Sequence, residues 1–310
     1  MAENNLTKPH FQNADKARQY LEALRWPNGV VCPHCGSIGD HYELTGKSTR
    51  AGLWKCHDCR EQFTVTVGTV FERSKIALNV WLQAVYLLCS SKKGISSHQL
   101  HRTLGVTYKT AWFMTHRIRE AMKDGGSGLL GGGGGTVEAD ETYWGNNKKV
   151  KGTAGRGYHH KMKVFALVER DGKARGFHVS KVKAETLKEV MKRNIAPEAN
   201  LMTDEASAYT LAGRDFASHG VVRHSAKEYS CFGGIHTNTI EGYFSLLKRG
   251  LVGTFHHVGE QHLHRYVTEF DFRYNHRAKP GFTDSERADV ALKSISGKRL
   301  TYRRTAREFA

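Results

Sequence analysis

Cys32-Pro-His-Cys35 and Cys56-His-Asp-Cys59 together spell C-x2-C-x20-C-x2-C, and this spacing decides the N-terminal fold. Zinc takes four ligands at the corners of a tetrahedron, and each two-cysteine knuckle supplies two of them. The intervening loop suits a small zinc ribbon. Two disulfides or four unrelated thiols are the other reading, and paired C-x2-C spacing in a chain of intracellular character argues against both. Four cysteines leave no open coordination position. The expectation is a structural Zn²⁺ on Cys32, Cys35, Cys56 and Cys59 that holds a fold and does no chemistry. Cys89 and Cys231 read as ordinary buried thiols.

Working outward, residues 14–24 have helical periodicity and stop before Trp26-Pro27. Gln62–Val70 (QFTVTVGTV) is rich in β-branched residues and reads as the last strand of the ribbon, closing a first domain over 1–75. Residues 76–124 change character. Helices are expected over Ala77–Cys89, Ser97–Leu104 and Tyr108–Met122, with Ser96 and Thr107 as N-caps and Gly105-Val106-Thr107 as the turn between the last two. That is a helix-turn-helix pattern. Its last helix carries Lys109 and Arg117 and would be the recognition helix.

Residues 125–135 (GGSGLLGGGGG) hold eight glycines in eleven positions and read as a flexible linker. Beyond it, strands are expected at Thr136–Tyr143, Lys161–Glu169, Ala174–Val179, Asn200–Thr203 and Gly220–Arg223. Asp171-Gly172 is a hairpin turn, and helices are expected at Ala184–Asn194, Ala206–Ala212, 239–249 and 260–276. A three-strand meander followed by alternating helix and strand is an α/β layered domain.

Three acids stand out in it. Asp140 lies in the first strand, where Glu138 points to the same face, and a side-by-side acidic pair calls for a cation. Asp204 ends another strand, and Glu241 starts a helix. Carboxylates from two strand ends and a helix can meet and hold two Mg²⁺ ions about 4 Å apart, which activate an attacking oxygen and stabilise a leaving one at phosphorus.

The stretches CPHC, CHDC, VEADETYWG, LMTDEASAY and HTNTIEGYFSLLKRGLVGTFHHV, over about residues 15–280, resemble the DDE-type transposases of bacterial insertion sequences. The subgroup is the one that joins an N-terminal zinc ribbon to an ISXO-like catalytic domain. The resemblance implies a ribonuclease-H-like catalytic domain over 136–280, Mg²⁺ or Mn²⁺ as catalytic cofactor, and cutting and joining of DNA at element ends. It carries the three acids onto Asp140, Asp204 and Glu241, with 36 residues between the last two. Asn238, three residues earlier, is the alternative third ligand. Lys248, two helical turns after Glu241, falls where such enzymes keep a basic residue that touches DNA. The partners implied are terminal inverted repeats, target DNA and further copies of the chain on DNA.

The remaining features are consistent with a polyanionic partner. The formal net charge is +17. Residues 144–164 carry Lys148, Lys149 and Lys151 without an acid and read as a phosphate-clamping loop. Residues 281–310 read as a flexible basic tail. His256, His257, His262 and His264 are discounted as ligands, because Mg²⁺ prefers oxygen. The absence of an apolar leader and of a ~20-residue apolar run points to a cytoplasmic protein with no membrane partner, and the resemblance implies a bacterial, nucleoid-associated one. Two other classes share these features: a non-catalytic DNA-binding regulator derived from such an enzyme, and a nuclease of the same fold.

Overall fold

The computed structural model describes residues 5–125, 128–145, 160–226, 230–231, 234–278 and 281–301. The backbone divides into two compact units, Met1–Lys123 with Ala278–Ala310, and Asp124–Arg277.

The first unit opens with helices α1 (Pro9–Gln12) and α2 (Ala14–Arg25). Asn13 caps α2, its Oδ1 accepting from the N–H groups of Asp15 and Lys16 at 2.8 and 3.0 Å, which satisfies donors that a helix start leaves bare. Strands β1 (His41–Glu43), β2 (Trp54–Cys56) and β3 (Gln62–Phe63) form a small antiparallel sheet. The strand expected over 62–70 ends at Phe63. The Thr69 hydroxyl donates to the Thr66 carbonyl at 2.7 Å and accepts from the Phe71 N–H at 3.1 Å. These local hydroxyl bonds compete with strand pairing, and the threonines take the chain through turns. Val65 and Val70 are still buried, so the apolar alternation marks core without marking a strand.

Helices α3 (Leu78–Ser90), α4 (Ser97–Leu104) and α5 (Tyr108–Ala121) follow within two residues of their expected bounds. Ser96 caps α4 through the Gln99 N–H at 3.1 Å, and Thr107 caps α5 through the Thr110 N–H at 3.2 Å. Gly105 ends α4 at φ +66°, a conformation glycine adopts without steric cost. Helix α5 buries Ala111, Met114 and Ile118, the stripe of an amphipathic helix.

In the second unit β4 (Thr136–Trp144), β5 (Met162–Glu169) and β6 (Ala174–Val179) form an antiparallel meander. Helix α6 (Ala184–Asn194) leads to β7 (Asn200–Asp204), which pairs parallel with β4. Helix α7 (Ser207–Thr210) precedes β8 (Ser218–Val222), parallel to β7, so the sheet order is β6-β5-β4-β7-β8. A short ladder of β9 (Ser230–Cys231) and β10 (Ile235–His236) enters α8 (Asn238–Gly250), which winds into a π-helical turn before α9 (Glu260–Asn275).

The sheet is buried on both faces. Val164, Ala166 and Val168 of β5 pack with Ile240, Tyr243, Leu247, Val267 and Phe270 of α8 and α9. Phe165 and Leu167 pack on the opposite face with Leu187, Met191 and Tyr209. This double burial is why β5 reads as an unbroken apolar run. Gly176 lets α9 approach: a Cβ there would lie 2.3 Å from Val267 and 2.8 Å from the Tyr243 hydroxyl. Beside it the partly buried Asp271 accepts from the Tyr243 hydroxyl at 2.5 Å and the Gly176 N–H at 3.0 Å. Burial pushes its carboxyl up to about 7.

Two expectations are corrected. The described part of the 125–135 segment is built into the second unit. The Leu130 N–H donates to Asn194 O at 2.8 Å, and the Gly131 N–H donates to the Glu169 carboxylate at 2.9 Å. A Cβ at Gly131 would come within 2.5 Å of the Ala199 Cβ, at φ +74°. Glycine serves close packing here, not linker freedom. Likewise 281–301 is no loose arm. A Thr283–Glu286 capping box starts α10 (Asp284–Lys293), whose Asp289 accepts from the Tyr20 hydroxyl at 2.5 Å. Lys298 Nζ donates to Ala121 O and Lys123 O at 3.0 and 2.6 Å, so its charge closes the carbonyl end of α5.

Candidate active site and zinc centre

The four cysteines converge. Their Sγ atoms lie within 4.8 Å of one another, with Cys32–Cys59 at 3.6 Å and Cys35–Cys56 at 3.7 Å. A tetrahedron with Zn–S of about 2.3 Å requires sulfurs about 3.8 Å apart, so the donor set fits a structural zinc. The knuckles are near copies. The Cys32 N–H donates to Ser37 O at 3.0 Å and the Cys56 N–H to Glu61 O at 3.1 Å. Each turn needs a left-handed residue four positions on, Gly36 at φ +80° and Arg60 at φ +61°.

The acids converge where β7 ends beside the middle of β4. Parallel β4 and β7 are in register at Ala139 and Thr203, so Asp140 and Asp204 follow side by side. Burial raises the Asp140 carboxyl to about 7, and like charge from Glu141, Asp204 and Glu241 adds to it against a hydrogen bond from the Glu141 N–H at 2.7 Å. Asp204 Oδ1 accepts from the Ala206 N–H at 3.0 Å, which turns the chain out of the strand. Glu241 sits exposed in the first turn of α8. Glu141 is a fourth acid that the sequence reading passes over. Its carboxyl is raised, first by burial and further by Asp204, and it accepts from the Tyr209 hydroxyl. Its only sequence signal is adjacency to Asp140.

Glu138 is not the metal-bridging partner expected of it. Its side chain is fully buried, and Arg170 Nε donates to Oε1 at 2.7 Å. The Thr239 hydroxyl and the Ile240 N–H donate to its two oxygens at 2.9 Å each, and His236 Nδ1 lies 3.2 Å away. Arg170 also donates to Gly234 O and His236 O at 2.7 and 2.8 Å. A carboxylate at a helix start satisfies bare donors and meets the positive end of the dipole. Glu138 thus ties the first turn of α8 to β4, and Glu241 is the residue after the one it holds. Arg170 and His236 were invisible to spacing arguments, since they lie 32 and 98 positions along the chain from Glu138.

Asn238 is exposed at the first position of α8, its N–H 3.4 Å from His236 Nδ1, and Thr237 occupies the N-cap. Lys248 is exposed in the last turn of α8. Lys109 is exposed at the start of α5. Arg117 differs from its expected role. Its Nε donates to Leu300 O at 3.3 Å, its Nη1 to Glu72 O at 3.2 Å, and its guanidinium lies 4.9 Å from the centre of the Phe113 ring. It is partly buried and bonded to its own fold through Nε and Nη1. Lys148, Lys149 and Lys151 lie outside the described residues.

Residues 132–275 match the ISXO2-like transposase domain, and residues 12–62 match the transposase zinc-ribbon domain. An uncharacterized protein in transposable element ISH50 of Halobacterium salinarum is 30% identical over 288 residues, spanning 87% of this chain and 94% of that protein. Among the described residues no helix is long and apolar enough to cross a membrane.

Proposed function

Because the chain belongs to the ISXO2-like transposase family, we propose that it is a DNA transposase acting by metal-dependent strand cleavage and strand transfer. The observation that carries the reading is the convergence of Asp140, Asp204 and Glu241 where β7 ends beside the middle of β4. Four neighbouring carboxylates, counting Glu141, repel one another unless a cation sits among them, and hard oxygen donors suit Mg²⁺ or Mn²⁺. The sheet order, with its meander followed by two parallel strands, supports a ribonuclease-H-like catalytic domain.

In this reading Asp140 and Asp204 hold the metals from adjacent strands, and Glu241 closes the site from α8. Bound metal ions supply activation of the attacking oxygen and charge relief at the scissile phosphate. Glu138 and Arg170 keep Glu241 in range. Lys248, Lys148, Lys149 and Lys151 neutralise DNA phosphates. The zinc ribbon holds Cys32, Cys35, Cys56 and Cys59 on one ion. With α4 and α5 as a helix-turn-helix, it recognises the element ends, and copies of the chain assemble there.

Incubating the chain with supercoiled plasmid and Mg²⁺ or Mn²⁺ tests this. Nicking should occur and should vanish in Asp140→Asn, Asp204→Asn and Glu241→Gln, while gel-shift binding of duplex DNA persists. Asn238→Ser should retain nicking. If Asn238→Ser is dead and Glu241→Gln is active, Asn238 is the third ligand. Nicked products that never join to a second DNA would leave a nuclease, and binding without any nicking would leave a regulator.

A further inference from the structure

The N-terminal half of α5 lines a cavity of about 330 Å³ within the first unit, inside the size range of small-ligand sites. Its cations come from segments far apart in sequence. Arg73 and Lys75 precede α3, and Lys109 and Arg117 lie on α5. Arg299 is close enough to disfavour the charge on Arg117, after the larger effect of burial. The neighbouring acid is Glu72, which accepts from the Gly68 N–H at 3.1 Å and lies 3.7 Å from Arg73 Nε, and it offsets one of these charges. Ile76 and Met114 add apolar wall. Lys75 is exposed and makes no hydrogen bond or ion pair among the described residues.

The four cations that line the cavity repel one another, among the described residues Glu72 beside Arg73 offsets part of that charge, and a bound anion relieves the rest. Arg117 is already immobilised by Leu300 O, Glu72 O and the Phe113 ring, so an anion meeting it loses little further side-chain freedom. Cations at the rim with apolar wall beneath suit an anion carried on an organic body. We propose that this cavity seats one nucleotide of a DNA strand, its phosphate toward Lys75, Lys109 and Arg117 and its sugar or base against Ile76 and Met114. The proposal rests on the DNA-binding reading above and deepens it. Lys109 and Arg117 then position the duplex through its backbone and read no base edge.

The test uses the full chain, a fluorescein-labelled 30-base-pair duplex and a salt series. Lys75→Gln with Lys109→Gln should weaken binding about tenfold at low salt and reduce the slope of log affinity against log salt by about one to two, the signature of lost phosphate contacts. Thr110→Trp keeps every cation but fills the cavity wall, and it should weaken binding to a similar extent. If the wild-type chain binds no duplex, the DNA-binding reading itself falls. If it binds and both variants match it, only the cavity assignment falls. Titration of 2′-deoxyadenosine 5′-monophosphate separates a DNA site from one for free nucleotides. Micromolar binding abolished by Thr110→Trp, with duplex affinity unchanged, overturns the proposal.

Discussion

The two clusters of like-charged ligand groups are held in opposite ways. In the zinc centre each knuckle is local: four residues of chain and one turn hydrogen bond place a pair of thiols, and the small antiparallel sheet brings two pairs together. In the acidic site no two of Asp140, Asp204 and Glu241 are neighbours in sequence. They meet because β4 and β7 pair in parallel and because Glu138 pins α8 to β4. The first cluster should depend on its metal for a fold, since few buried side chains, such as Trp26, Phe63, Val65 and Val70, surround the ribbon. The second is carried by a sheet packed on both faces and should persist without metal.

The sharpest way to break that comparison is Cys56→Ser. Structural zinc contributes roughly 10 kcal/mol or more to such modules, so the ribbon should lose its metal and unfold. Metal analysis should fall from one zinc per chain to none, and limited proteolysis should degrade residues before about 70 while leaving the second unit protected. Equal zinc content in the variant would refute the assignment.

Asp140→Asn should leave folding intact and cost roughly a thousandfold in cleavage rate, about 4 kcal/mol of transition-state stabilisation. The raised Asp140 carboxyl sets the accompanying pH dependence. Below about 7 the proton occupies the carboxylate, and a metal ion must displace it. The Mg²⁺ concentration for half-maximal nicking should therefore rise as pH falls through 7 and level off above it, with about tenfold per pH unit as the limiting slope. A requirement flat from pH 6 to 8 would show that Asp140 does not compete for the cation.

Glu138→Gln tests whether the second cluster is assembled from a distance. Removing one partner of a buried ion pair costs about 3 kcal/mol, here concentrated at the start of α8. Nicking should fall while duplex binding holds, and more Mn²⁺ should be needed for half-maximal rate. Glu138→Asp should fare no better, since the shorter side chain cannot reach the Ile240 N–H. Unchanged metal dependence with lowered thermal stability would make Glu138 structural only.

The smallest effect belongs to the knuckles. Arg60 occupies the left-handed position that Gly36 fills in the first knuckle. Arg60→Gly should relieve about 1 kcal/mol of backbone strain and slow zinc loss to a chelator severalfold. Gly36→Ala should do the reverse.

What the chain's order of residues decided alone is whatever depends on contacts a few positions long. The C-x2-C pairs, the Ser96 and Thr107 caps, Gly105 between α4 and α5, and the Asp171-Gly172 turn could all be read without a structure, because spacing along the chain is spacing in space over one or two turns. The candidate acids were legible for the same reason, as an acid within a strand, an acid at a strand end and an acid at a helix start. Tertiary structure decided the rest. Gly131 serves packing because Ala199 lies against it. The 281–301 segment folds because α10 finds Tyr20 and Lys298 finds the end of α5. Arg117 turns inward because the Leu300 and Glu72 carbonyls are there to receive it. Glu138 holds a helix because Arg170 balances its charge. A buried charge must find its partner wherever the fold supplies one, and a partner 32 residues or more away leaves no periodicity to read.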